Sequence, residues 1–192
     1  MENLETPNNE KINADNPFGP EPEVSLAKNA LIYGLLLGGI SIAYSVILWV
    51  FGQTLNKSLG YISLVFTIGM MFWSTKEYRD KHLGGYMMYG KAFTSNFLIG
   101  LIGGIISAIY TYCLFKYIDP NLMDTVRQTA IEAAMQKNPN VTQEQMEQGM
   151  NKMSFFMSPL FFGIAGLFGN AFFSAILALI VSIFHKKEKP LF

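Results

Sequence analysis

The sequence is short of charge and almost without cysteine. Only 15% of its 192 residues are charged, against roughly 25% in an ordinary soluble domain. Lys plus Arg and Asp plus Glu number 14 each, so formal net charge is zero. That excludes a nucleic-acid binder working through bulk positive charge. The single cysteine, Cys113, can form neither an intramolecular disulfide nor a Cys-cluster metal site. The two histidines, His82 and His185, have no second ligand at metal spacing and are expected on surface loops beside lysines. Gly-x-Ser-x-Gly and His-Glu-x-x-His do not occur. Gly85 to Ala92 imitates a P-loop, but Ala92 stands where the Mg²⁺-binding hydroxyl belongs, and no strand precedes it. No catalytic, cofactor or metal site is therefore expected, and the chain is read as not an enzyme.

What remains is apolar. Hydrophobic residues make up 51% of the chain, with 16 Phe and 11 Met, which excludes wholesale disorder. The charges leave four gaps, and these predict four membrane spans at 30–51, 58–74, 92–115 and 160–184. A bilayer core about 30 Å thick needs roughly 17–25 apolar helical residues. The Leu, Ile, Val and Phe of the first run alone favour insertion by roughly 4–7 kcal/mol, with no buried charge opposing it. None of the runs shows the polar stripe of a helix on a soluble core. The first is no cleaved signal peptide, because an acidic leader precedes it and bulky Trp49, Val50 and Phe51 close it. The expected fold is all-α: an integral-membrane four-helix bundle.

Four spans put both termini on one side. That side carries nine Lys and Arg, the other five. The positive-inside rule then predicts cytoplasmic termini. Trp49, Tyr110, Tyr112 and Tyr117 suit the outer interface, and Trp73, Tyr78, Tyr86 and Tyr89 the inner one. Residues 1–25 read as a disordered acidic tail, and 26–188 as the membrane domain. Between spans three and four, 119–154 predict an extracytoplasmic helical hairpin. Asp119 is placed to N-cap its first helix, with Pro120 following. Asn138, Pro139 and Asn140 break it, and Thr142 with Gln145 forms a capping box for the second helix. Met146, Met150 and Met153 form a stripe there, read as packing on neighbouring helices or lipid.

Small residues let helices approach closely in lipid. Span one carries Gly34 and Gly38, span three Gly100 and Gly104. Span four carries Gly166, Asn170, Ser174, Ala178 and Ser182 at four-residue spacing. Each such step drifts about 40° around the helix, so this ridge should not face one neighbour throughout. Intramolecular packing is the expected use of all three stripes, and homodimerisation the alternative. Asn96 and Asn170 lie within spans. Both are read as interhelical glue, Asn170 near mid-membrane with Ser41, Thr67 or Ser107 as partners. No Asp or Glu lies inside a span to act as a proton relay. Arg79, Asp80, His82 and Lys91 cluster in a basic loop with a Gly84-Gly85 hinge, read as setting topology and binding lipid headgroups.

The motifs Tyr78-Arg79-Asp80, Gly84-Gly85-Tyr86, Gly90-Lys91-Ala92-Phe93 and Tyr117-Ile118-Asp119-Pro120 occur in this order. Together they resemble a bacterial family of small four-span membrane proteins, a domain of unknown function common in Bacteroidetes, over roughly 26–188. The resemblance implies an inner-membrane location and a shared architectural role for the Arg-Asp loop and for Asp119. It implies no activity. Arg79, Asp80, Lys91, Asn96, Asp119 and Asn170 are thus the candidate functional or structural residues. The expected role is a non-enzymatic structural or accessory membrane component, in contact with lipid and with a second copy or another membrane protein, and not with nucleic acid. A small transporter or channel subunit is the alternative. A membrane-embedded enzyme comes third, and would need Arg79, Asp80, His82 and Lys91 to converge.

Overall fold

The computed structural model describes residues 24–137, 142–152 and 154–187. Most of the acidic tail, the Asn138-Pro139-Asn140 break and Met153 lie outside them, as do the side chains of Gln143 and Met150. Among the described residues every regular element is helical. Four helices are long and apolar enough to cross a membrane. They are α1 (Leu26–Val50), α2 (Lys57–His82), α3 (Tyr89–Cys113) and α6 (Pro159–His185). Two shorter helices, α4 (Asn121–Lys137) and α5 (Gln143–Lys152), lie between α3 and α6 in sequence and pack on each other. There Arg127 donates to the Asn151 side-chain oxygen.

Capping residues set the helix starts. The Ser25 hydroxyl accepts from the Lys28 N–H, Asn56 Oδ1 from Ser58, and Ser158 from Phe161, with Pro159 opening α6. Each satisfies an N–H that the first helical turn leaves without a partner. The Thr142–Gln145 capping box is present in both directions, at 3.2 and 3.4 Å. After α2 the chain reverses at Gly84 and Gly85, with φ of 63° and 87°. The Gly85 N–H returns to the Arg79 carbonyl. Only glycine enters that left-handed region without a steric penalty.

Span two departs from its expected bounds. The uncharged run ends at Ser74, yet α2 continues through Lys76, Glu77, Arg79, Asp80 and Lys81 to His82. The charges mark where the helix leaves the hydrocarbon, not where it stops, because Lys, Glu and Arg are good helix formers. Glu77 and Lys81 even pair one turn apart at 2.6 Å.

α3 is the central helix and packs along both α1 and α6. The expected small residues make that possible. A Cβ at Gly34 would stand 2.6 Å from the Ile102 Cβ, and one at Gly38 2.7 Å from the Ile106 Cδ1. At Gly104 it would stand 2.9 Å from the Asn170 Cβ, and at Gly100 it would collide with Ser174 and Met71. The large apolar side chains, among them Leu31, Leu35, Val65, Phe168, Phe172 and Ile183, point outward. That inversion of a soluble core suits a lipid solvent, in which close packing rather than hydrophobic burial holds helices together.

Candidate functional site

The buried polar residues collect near one end of the bundle, where α1 and α3 begin and α2 and α6 finish. Asn29 of α1 donates to the Ser74 hydroxyl of α2 at 3.1 Å. The next residue, Thr75, donates to the Asn96 side-chain oxygen of α3 at 2.7 Å. The Asn96 amide nitrogen donates to Ser182 of α6 at 3.1 Å. Asn96, Thr75 and Ser182 are each 0% exposed. The result is a belt of side chains that fastens all four spans at one depth. At 1.5 Å per residue it sits roughly 5–12 Å in from the helix ends.

His185 completes the belt. It is the last residue of α6, 1% exposed. Its Nδ1 lies 2.9 Å from the Val181 carbonyl oxygen of its own helix, and its Nε2 3.0 Å from the Phe72 carbonyl oxygen of α2. Its ring meets Phe72 edge-on at 4.4 Å. The surface position expected for His185 is thus wrong: the lysines after it are exposed, but the helix turns the imidazole inward against α2. His82 likewise belongs to a helix, as the last residue of α2, with its ring tilted on Tyr78. Tyr78, expected at the inner interface, is fully buried among Leu83, Met87 and Ala92. The hydroxyls of Tyr78 and Ser95 are buried without a hydrogen-bond partner.

The two acidic residues at the end of α2 have different neighbours. Arg79 Nε holds Asp80 at 2.7 Å, and Asp80 also faces Lys76 and Lys187. Glu77 instead faces Lys81, Tyr33 and His82, with the Tyr33 hydroxyl donating to it at 2.7 Å. Lys91 sits in the first turn of α3, half-buried. Behind this end an antiparallel pair of backbone bonds, Met87 to Lys187 at 2.9 and 3.0 Å, ties the α2–α3 turn to the residues after α6.

The other end is built differently. Asp119 does not cap α4 with its carboxylate. Its Oδ2 accepts from the Trp49 indole of α1 at 3.0 Å, beside a π turn at Leu114–Ile118. An indole N–H in an apolar setting needs an acceptor, and that use takes the carboxylate away from the helix start. Cys113 is half-buried here rather than enclosed. α2 stays with α1, through Tyr44 against Phe66 and the Tyr44 hydroxyl on the Leu59 carbonyl. It meets α6 through Met71 and Phe72, toward the belt end.

Beyond that meeting, the four-residue ridge of α6 stays on α3 as far as Asn170, whose Cβ lies against Gly104. Ser174, Ala178 and Ser182 are buried, whereas Asn170 is exposed and a Cβ at Gly166 would meet nothing within 4 Å. The drift its spacing predicts shows only at the last step, Gly166. The expected bonds from Asn170 to Ser41, Thr67 or Ser107 do not form. Thr67 donates to its own helix, at Ser63. Asn170 therefore carries an amide without a partner two residues from the middle of α6. Of the two span asparagines, Asn96 is glue within the chain and Asn170 is not.

Asn29, Ser74, Thr75 and His185 are site residues that sequence reasoning missed, and Ser182 was expected only as part of the α6 packing ridge. Asn29 and His185 lay just beyond the spans, and Ser74 was used as a boundary. The legible signal was a polar residue at comparable depth in each span, counted from the same end. A family model described as "Protein of unknown function (DUF4199)" matches residues 32–187. No curated protein and no solved structure matches.

Proposed function

The chain belongs to that family of unknown function, and we propose that it is a non-enzymatic structural or accessory component of the bacterial inner membrane. The observation that carries this is the belt. Asn29, Ser74, Thr75, Asn96 and Ser182 spend their side chains on one another. A transport role would use Asn96 and Asn170 along one polar path. Against it stands the closure of Asn96 by Thr75 and Ser182 at one depth, while Asn170 points away from the belt at another. Against a membrane-embedded enzyme stands the division of Asp80 and Glu77 between separate sets of neighbours. With the belt end cytoplasmic, as the positive-inside count requires, α4 and α5 lie outside the cytoplasm. A reporter fused at Lys189 tests this and should read cytoplasm.

The same reading assigns Asn170 to association with a second copy. An amide offers both donor and acceptor, so two of them satisfy each other across a two-fold interface. An unpaired amide facing hydrocarbon costs free energy that such pairing removes. The experiment is a mass measurement of the full chain in mild detergent and in lipid nanodiscs, with identification of whatever co-purifies. A dimer that Asn170→Leu converts to monomer is expected. A monomer under every condition, with no co-purifying membrane protein, refutes the assignment.

A further inference from the structure

We propose that His185 is a proton-operated clasp between spans α6 and α2, fastened when the imidazole is protonated and loosened when it is not. The geometry states the case. Both ring nitrogens point at backbone carbonyl oxygens, at 2.9 and 3.0 Å. A carbonyl only accepts. A neutral imidazole has one N–H and one lone pair, so it satisfies one of the two contacts and sets a lone pair against the other oxygen. The imidazolium donates to both. Its position adds to this, because the carbonyl end of a helix favours a cation, and His185 closes α6.

The contact is placed to matter. The Nδ1 bond stays within α6, whereas the Nε2 bond crosses to α2. Asn96 reaches Ser182 and Thr75 through α3, but His185 joins α6 to α2 directly. Histidine is the side chain whose ordinary titration falls between about pH 5 and 8, and loss of one proton removes one of its two bonds.

The ionisable groups on the elements around it do not supply the same response. On the chain after α6, Lys186 and Lys187 oppose the added charge. On α2, Lys76 opposes it too, Arg79 is paired with Asp80, and Glu77 is engaged by Lys81 and Tyr33. Tyr78 on α2 is buried and neutral at these pH values. On α3, Tyr89 donates to the Leu179 carbonyl, and Lys91 stands in the first turn. His82, the last residue of α2 with its ring on Tyr78, is the other imidazole at this end, and the test removes it. Both bonds should be present in acid, and one of the two given up as pH rises.

The test uses the full chain in lipid nanodiscs. With ring-¹⁵N-labelled histidine in a His82→Gln background, His185 should show two ring N–H signals near pH 5.5 and one near pH 8.5, values chosen to bracket ordinary histidine titration. Melting should mirror this. The wild-type midpoint should fall by roughly 2–5 °C over the same range. His82→Gln should keep that fall, and His185→Gln should abolish it. A single ring N–H near pH 5.5 overturns the clasp, as does a His185→Gln protein whose melting follows pH as the wild type does. If His185→Gln does not fold, the spectrum of the His82→Gln protein decides alone.

Discussion

The two ends of the bundle are held by different means. At the belt end, side-chain hydrogen bonds run from α1 through α2 and α3 to α6. At the opposite end, α2 keeps to α1 through Tyr44 and Trp49 reaches Asp119, while near mid-span Asn170 makes no hydrogen bond. The contrast teaches what fixes a helix position in lipid. Apolar burial cannot, since lipid tails are as apolar as Leu. Close approach at glycine sets where two helices touch. A polar tie then sets rotation and depth, because an amide or hydroxyl has few places to go. The belt end has a polar tie in all four spans. The other end has one in only some, and is free to meet something else.

The largest effect should come from Gly100, where α3 meets both Ser174 and Met71. Gly100→Leu forces three helices apart just above the belt. We expect a loss of roughly 3 kcal/mol or more, or no folded protein. Unfolding in detergent measures it, and a variant as stable as the wild type would show that the helices are not packed this way.

Next comes Asn96→Leu. It removes two bonds and leaves Thr75 and Ser182 unsatisfied. Hydrogen bonds between spans average about 0.6 kcal/mol and reach about 1.7, so a loss of roughly 1–3 kcal/mol is expected. Asn170→Leu is its control. It should leave monomer stability within about 0.5 kcal/mol of wild type while weakening self-association. Equal stability losses from the two would erase the contrast between the ends.

Much of this was legible in the sequence. Positions of charge gave the four spans, and Gly34, Gly38, Gly100 and Gly104 gave the close contacts. Spacing arithmetic gave the departure of the α6 ridge at Gly166. The belt was only partly legible. Asn96 stood out inside a span, but Asn29 and His185 lay one residue outside the spans at 30–51 and 160–184, and a run of apolar residues measures hydrocarbon rather than helix. Partner choice was the least legible. Asn170 was given three plausible partners by depth alone, and depth says nothing about which way a side chain faces. Asp119 failed for a related reason: a capping pattern is local, and the competing Trp49 is 70 residues away in sequence.

At the far end, Trp49→Phe should cost about 1 kcal/mol, the net worth of a hydrogen bond between partly exposed groups. Asp119→Asn should cost less, because an amide oxygen can still accept from the indole. If Asp119→Asn costs as much as Trp49→Phe, the carboxylate is wanted for its charge, and a cap on α4 returns as its role.

The smallest effect is expected at Gly166. It belongs to the same four-residue ridge as Ser174 and Ser182, and sequence alone would rank it with Gly100 as a packing glycine. Yet a Cβ there meets nothing within 4 Å. Gly166→Leu should therefore leave monomer stability unchanged or raise it by up to about 1 kcal/mol, since leucine is the better helix former. Read beside Gly100→Leu, this isolates the contact from the residue type: same substitution, neighbouring helices, opposite outcome. A leucine that spares the monomer but breaks the dimer would place Gly166 on the interface with Asn170. A leucine that unfolds the monomer would mean that α2 closes over this face after all, and that both ends of the bundle are packed alike.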